Sequence, residues 1–526
     1  MANKTNRRTL IAGMMAGVAS APFASVHAAE WRKSDRWDVQ TDVIVVGFGG
    51  AGATAAIAAH DSGSKVIVFE KMAQGGGNTA ASGGGFIIPA DEEKAYEYLS
   101  AIYDFANNDW DPSLLKAFCR ESAKLRDFFE RLSPDIRLGV YGHGTFPKLP
   151  HADTITKHSV KGRRAGGVCL FEALSQAVAK RGIDVRLSTP VKRLIRRGGE
   201  VVGVEAVANG KSIRVCARKG VILATGGFEC DKESLQNYAL GTEIYSLGSP
   251  GNTGDGLRMA MSMGAKLWHM TSYACPLGIR VPGYDSCVGL GIKGKSFIWV
   301  NRYGQRFVNE AGVDIHNCLY SVNRLDTLNH GYPAIPCYMV FDEAFRKSGP
   351  VTNFMFGYAV QQQGYQWSRD NTKEIASGVI KKADTLEKLA EMIHVAPEAL
   401  RATVDEWNRD IAKGDDPKFG RKQHQVIKGG NPQFAPSLSA PLASEGPYYA
   451  VELVPALLHS NGGPKRNAEG NIIDAENVPI PRLYGAGELG SIWGTFQQGS
   501  TNLAECLAYG IIAGRSVSAL KPWSQA

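Results

Sequence analysis

Two hydrophobic patterns alternate near the start of the chain. Asp42–Val46 is a short β-branched run of the kind buried in a parallel sheet. It leads into Gly47-Phe48-Gly49-Gly50-Ala51-Gly52, and Ala53–His60 that follow are small and helix-forming. A second β-branched run, Lys65–Phe69, ends at Glu70. Strand, glycines, helix, strand and acid in this register predict a dinucleotide-binding βαβ unit. Gly47 permits the tight turn, Gly49 lets backbone approach a pyrophosphate, and Gly52 allows close helix–strand packing. The helix N-terminus then faces the phosphates, and Glu70 accepts hydrogen bonds from a ribose.

The pattern of an apolar run ending in glycines recurs. Gly220–Leu223 runs into Ala224-Thr225-Gly226-Gly227. Pro481–Tyr484 runs into Gly485-Ala486-Gly487-Glu488, followed by an apolar helix over Asn502–Gly514. Directly after Glu70 and Lys71, Gly75–Gly85 interleaves glycines with Asn78, Thr79 and Ser82. Such a segment wraps backbone closely around a large flat ligand, and NAD-only enzymes rarely carry it there. The three glycine-ended strands point to one FAD held by discontinuous segments, with Gly77, Asn78, Thr79, Ser82, Gly83 and Gly84 among its contacts.

Composition narrows the field. Hydrophobic residues make up 44% of the 526 and charged residues 21%, a soluble globular balance. The net charge is +8, but Lys4, Arg7 and Arg8 supply three of those charges within the first 28 residues, and no dense basic run exists elsewhere. No nucleic-acid partner is expected. Asn6–Leu10 precedes a small-residue apolar stretch, Ile11–Ala24, and Val26-His27-Ala28. Residues 1–28 read as a cleavable export signal, and the paired arginines favour the twin-arginine machinery and a periplasmic or otherwise exported protein. Beyond residue 28 no apolar run is long enough to span a membrane. The nine cysteines are scattered with no C-x-x-C pair, so no metal site is expected and most read as buried apolar fillers.

Taken together, Gly47–Gly52, Glu70, Gly77-Asn78-Thr79, Ala224–Gly227 and Gly485–Glu488 resemble the fumarate reductase/3-ketosteroid dehydrogenase flavoprotein superfamily. Gly251–Gly256, Gly304–Glu310 and His459–Gly463 add to the likeness, which covers most of residues 40–520. It implies an α/β fold: a Rossmann-like, glutathione-reductase-like FAD-binding domain (40–270 and 440–526) with an inserted α+β substrate-capping domain (271–439). Polar, Lys-rich helical stretches such as Asp384–Ala412 agree with that split. The resemblance also places Gly50, Ala51, Lys71, Asp255, Gly487, Glu488, Ser500, Asn502 and Leu503 at the cofactor, and the helix after Ser500 points its N-terminus at the flavin.

Members of this superfamily move a hydride between flavin N5 and a carbon β to a carbonyl, while a side chain handles the α-proton. Asp314 holds the family's proton-transfer position, with His316 and Tyr320 near enough in sequence to substitute. Tyr273 opens the segment where the family contacts substrate. Of the family's carboxylate-binding set only His459 remains; Gln497 and Cys275 fall where an arginine and a histidine are expected. These losses favour a neutral carbonyl, a 3-ketosteroid or smaller cyclic enone, over a dicarboxylate. Phe496–Ser500 replaces the ketosteroid enzymes' carbonyl site, with the Gly499 N–H and the Gln497 or Gln498 amide left to meet an oxyanion. Arg306 reads as a structural tie to Glu310. Two rivals stay open: a respiratory reductase of an unsaturated acid (urocanate, cinnamate or fumarate-like), clamped by Arg163, Arg164 or Arg280, and a non-catalytic flavin electron carrier. An exported flavoprotein without a haem motif needs an external electron carrier, a quinone or periplasmic cytochrome.

Overall fold

The computed structural model describes residues 29–30, 36–106, 109–162, 166–239, 243–284, 286–312, 316, 318–353, 364–421 and 439–523. The proposed signal (1–28), Asp314, Arg163 and Arg164 lie outside the described residues.

The β-branched run at 42–46 is the buried end of the strand Val39–Val46, which lies beside Val66–Phe69 in parallel register, Val43 opposite Val66 and Val46 opposite Phe69. On its other side runs Lys211–Leu223, whose last residues pair in parallel with both Val39–Val46 and Pro479–Gly485. Three runs that sequence marks as strand-then-glycine are therefore neighbours, and they end on the same edge of a nine-stranded sheet. An open parallel sheet binds its ligand along that carboxyl edge. The first half of Lys211–Leu223 pairs antiparallel with Glu200–Ala208, which pairs in turn with Val191–Arg197.

The helix Gly50–Asp61 is buried from Gly50 to Ala59 and packs along Thr501–Ser518. Small residues at the crossing bring the backbones close: a Cβ on Gly510 would lie 2.7 Å from the Ala51 carbonyl oxygen, and Thr54 donates its hydroxyl to the Cys506 carbonyl at 3.2 Å. The last helix is thus fixed against the first, and its N-terminus at Ser500 reaches the carboxyl edge of the sheet. Phe86–Pro89, Ile155–Val160 and Leu138–His143 form a separate three-stranded antiparallel sheet.

A second large sheet has eight strands, in the order Phe297–Val300, Cys337–Asp342, Tyr448–Leu457, Leu277–Arg280, Cys287–Leu290 and Thr352–Asn353. Its central strand, Tyr448–Leu457, is buried along nearly its whole length and also pairs with Ile380–Ala383 and Tyr245–Ser246. Residues 448–457, which the sequence reading assigned to the nucleotide-binding half, hydrogen-bond mainly to strands of the 271–439 segment. The Asp384–Ala412 stretch is two helices, Leu386–Met392 and Pro397–Ala412. Pro397 disfavours helical geometry in Ala396, whose ψ is 124°, and the chain breaks there.

Beside this second sheet Arg306 donates to Glu310 at 2.7 and 2.8 Å and to Asp416 at 2.9 Å. Arg421 approaches Glu310 at 3.3 Å and donates to the Phe297 carbonyl at 2.7 Å. Opposed charges and these bonds hold the fully buried Glu310 carboxyl below its usual range despite burial. Seven of the nine cysteines are buried. No helix among the described residues is long and apolar enough to cross a membrane.

Candidate functional site

The site begins at the turn after Val46. Gly47 has φ +102°, a conformation costly for any residue with a side chain, and a Cβ there would run into the Ala224 carbonyl. A Cβ on Gly52 would collide with the Gly47 carbonyl oxygen, so the helix sits against the turn only because both are glycine. Glu70 closes the turn from the next strand: one carboxylate oxygen accepts the Phe48 N–H and the other the Met72 N–H, both at 2.8 Å. Lys71 donates to Asp255 and to Thr253 at 2.6 Å, tying the strand end to the 251–256 loop.

A single cavity of about 1280 Å³ runs from this turn across the sheet edge to the N-terminus of Thr501–Ser518. Gly47, Gly49, Gly50, Ala51, Glu70, Lys71, Gly77, Asn78, Thr79, Ser82, Gly83, Gly84, Ala224, Thr225, Gly226, Asp255, Glu488, Ser500, Asn502 and Leu503 line it, as do His459 and Gly499. Gly52 and Gly487 stand behind the lining. Gly487 holds φ +74°, and its carbonyl accepts from buried Arg466 at 3.1 Å.

At the middle of the cavity the Asn78 amide is a hub. Its nitrogen donates to Glu229 at 2.6 Å and to Glu488 at 2.9 Å, and its oxygen accepts the Ser249 N–H at 2.7 Å. Asn252 adds a second donor to Glu229 at 2.6 Å. Glu229 is buried and Glu488 half-buried on the cavity wall; desolvation raises both carboxyls above the usual range, Glu488 furthest because Glu229 also opposes its charge. Sequence reasoning named Glu488 and Asn78 but missed Glu229 and Asn252. The signal available was an acid two residues beyond a glycine pair, in an otherwise apolar stretch.

The far end differs from expectation in several places. Tyr273 does not line the cavity. It is 1% exposed, packs edge-on against Phe228 and donates its hydroxyl to the Met270 carbonyl at 2.7 Å. Its pairing with the His459–Ser460 strand turns it into the core. Tyr320 donates to the Thr271 carbonyl at 3.3 Å, and Arg280 lies over the Tyr245 ring, both away from the cavity. Gln497 is buried behind the lining, its amide without a protein partner. The Gly499 N–H is engaged with Thr145 Oγ1 at 3.1 Å. His316 does line the cavity. Desolvation of the half-buried His459 ring lowers its pKa to about 3, with the His316 charge as a lesser cause, so it stays neutral. Lys157, Thr145 and Tyr141, which the sequence reading did not single out, also line this end.

The residues present fit FAD. Backbone is bared by glycine along the cavity, and buried Thr225 Oγ1 and Asn502 Nδ2 on its wall have no protein partner, as expected of groups that bond to a ligand. The cavity exceeds the usual range of small-molecule pockets, leaving room for a second molecule beside a dinucleotide.

Comparison with known proteins points the same way. The FAD binding domain family matches residues 42–503. A fumarate reductase (cytochrome) of Shewanella frigidimarina is 29% identical over 489 residues, 91% of this chain and 77% of that protein. A digoxin reductase of Eggerthella lenta is 27% identical over 570 residues, 97% of this chain and 94% of that one. Among solved structures, 3-ketosteroid Δ1-dehydrogenase from Sterolibacterium denitrificans superposes with a TM-score of 0.77 at 24% identity, covering 91% of this chain and 99% of that one, a likeness of fold.

Proposed function

We propose that this chain, which belongs to the FAD binding domain family and takes FAD as its cofactor, interconverts CH–CH and C=C next to a carbonyl group. The observation that carries this reading is the continuity of the cavity. It passes without interruption from the glycine turn at Gly47 to a separate end lined by His459, His316, Lys157 and Gly499. A nucleotide needs the first part only, so the second is the place for a reducible or oxidisable substrate.

Bound FAD supplies hydride transfer at flavin N5. The chain's residues do the rest. The turn at Gly47–Gly52, Glu70 and the Lys71–Asp255 pair hold the nucleotide half, and Asn78, Glu488 and Asn502 meet the remainder. Positive partial charge at the start of the 18-residue helix Thr501–Ser518 favours an electron-rich ligand beside it. His459, kept neutral, offers a hydrogen bond without placing a charge in the cavity. The proton at the carbon α to the carbonyl is assigned to the Asp314–His316 segment, supported by His316, which lines the same end. The segment 271–439 is the cap that closes over the substrate and excludes water. Residues 1–28 direct export by the twin-arginine machinery to the periplasm, where a quinone or cytochrome exchanges electrons with the flavin.

The test supplies holoenzyme with a reduced viologen dye and candidate substrates, and mass spectrometry looks for product heavier by two hydrogens. Saturation of a C=C conjugated to a carbonyl supports the reading. Electron uptake from the dye with no product from any unsaturated carbonyl compound favours the electron-carrier alternative.

A further inference from the structure

Thr145 Oγ1, on the cavity wall, accepts from three donors at once: Lys157 Nζ at 3.0 Å, Gln498 Nε2 at 3.0 Å and the Gly499 N–H at 3.1 Å. A hydroxyl oxygen has two lone pairs. The hydroxyl's own proton finds no acceptor among the described residues. Three donors therefore converge on one hydroxyl at the edge of a cavity. The space beside Gly499 is bounded by the same groups. A Cβ built there would lie 3.2 Å from Thr145 Oγ1, 3.6 Å from Lys157 Nζ and 3.9 Å from His316 Cε1.

The donors are held from behind. Buried Gln498 accepts the Tyr98 hydroxyl at 2.6 Å and the Thr145 N–H at 2.7 Å through its amide oxygen, which fixes its nitrogen toward Thr145 and the Gly499 carbonyl. Lys157 projects from the central strand, Ile155–Val160, of the three-stranded sheet. The cluster joins segments 353 residues apart in sequence and has the donor-rich, preorganised character of an oxyanion site.

We propose that Lys157 and the Thr145 hydroxyl, held in place by Gln498 and Gly499, bind the carbonyl oxygen of the substrate, and that the Lys157 ammonium is the charged donor that polarises an α,β-unsaturated ketone. The proposal rests on the reading of the previous subsection. In reduction the β-carbon takes a hydride and the α-carbon a proton. Between the two, the π electrons pass onto the carbonyl oxygen as an enolate, then return to form the α C–H bond. An ammonium gains more from the enolate oxygen than from the ketone oxygen, so its contribution falls on turnover and not on binding.

The test uses holoenzyme and the variants Lys157→Met and Lys157→Arg, with cyclohexenone and cinnamate as substrates and p-nitrophenol as an enolate mimic. Lys157→Met is expected to lower kcat for cyclohexenone about 10²–10³-fold with little change in KM, the usual loss for one oxyanion donor. Wild type is expected to bind p-nitrophenol as the yellow phenolate below its solution pKa. Lys157→Met should bind it protonated, and Lys157→Arg, which keeps the charge, should restore the phenolate. Unchanged kcat with phenolate binding retained in Lys157→Met overturns the proposal. So does a loss confined to KM for cinnamate, which makes Lys157 a carboxylate clamp instead. If wild type turns over neither substrate, the functional reading fails, while the p-nitrophenol spectra still decide whether Lys157 forms an anion-stabilising site.

Discussion

The carboxyl groups of Glu229 and Glu488 are held by one nitrogen, the side-chain amide of Asn78, at 2.6 and 2.9 Å. Two carboxylates so close in a desolvated site cannot both ionise without large cost, and the buried oxygens Glu229 Oε2 and Glu488 Oε1 have no other protein partner. One shared proton between the two acids satisfies both.

This pair gives stability a falling component with pH. Both folded-state pKa values lie above the unfolded ones, so the folded chain holds protons that the unfolded chain releases once the pH passes 4.5. Glu488→Gln supplies a permanent N–H in place of the shared proton. Thermal unfolding midpoints from about pH 5 to 8 should decline less steeply in this variant than in the wild type; parallel curves would show that the two acids do not share a proton.

His459 acts in the opposite sense. Its folded pKa, about 3, lies below its ordinary 6.5, so the unfolded state takes up a proton first as the pH falls. The contribution is complete above 6.5 and is lost toward 3, amounting to about 2 kcal/mol between pH 6.5 and 5. Denaturant titrations of His459→Gln should lack about that much of the wild-type acid sensitivity.

Glu310 is fully buried between Arg306 and Arg421 beside the second sheet, and none of the three lines the cavity. Glu310→Ala leaves Arg306 with Asp416 alone and removes the carboxylate facing buried Arg421, and should cost about 3–5 kcal/mol in urea unfolding. Protein that remains folded should keep its full FAD content, because the damage lies in the other sheet. Loss of FAD at unchanged stability would contradict this division.

Gly52→Ala drives a methyl group into the Gly47 carbonyl oxygen. The helix Gly50–Asp61 then cannot sit against the turn. The purified variant should show little flavin absorbance per protein after gel filtration, whereas wild-type retention would mean that the turn relaxes freely.

The sequence made the nucleotide half legible because its determinants are local. A β-branched run, a turn that admits only glycine and an acid one strand later are all written within 30 residues. The far end of the site was harder to read. Lys157 sits on a strand of mixed polarity, Ile155–Val160, and meets Gln498 and Gly499 only through folding of the whole chain. Tyr273 looked like a contact residue by position, but pairing of Tyr273–Ala274 with His459–Ser460 directs it into the core. Strand Tyr448–Leu457 follows the inserted segment yet forms the middle of its sheet, a long-range pairing no local pattern encodes.

The most direct test of the central claim is anaerobic. Holoenzyme whose flavin has been reduced is mixed with cyclohexenone, enone steroids, cinnamate, urocanate and fumarate, and the return of the oxidised flavin spectrum is followed. Rapid reoxidation by one or more of these unsaturated carbonyl compounds, with one saturated product per flavin, is the predicted result. A flavin that stays reduced with all of them, yet is promptly reoxidised by a quinone or a cytochrome, would contradict the CH–CH assignment and leave an electron carrier.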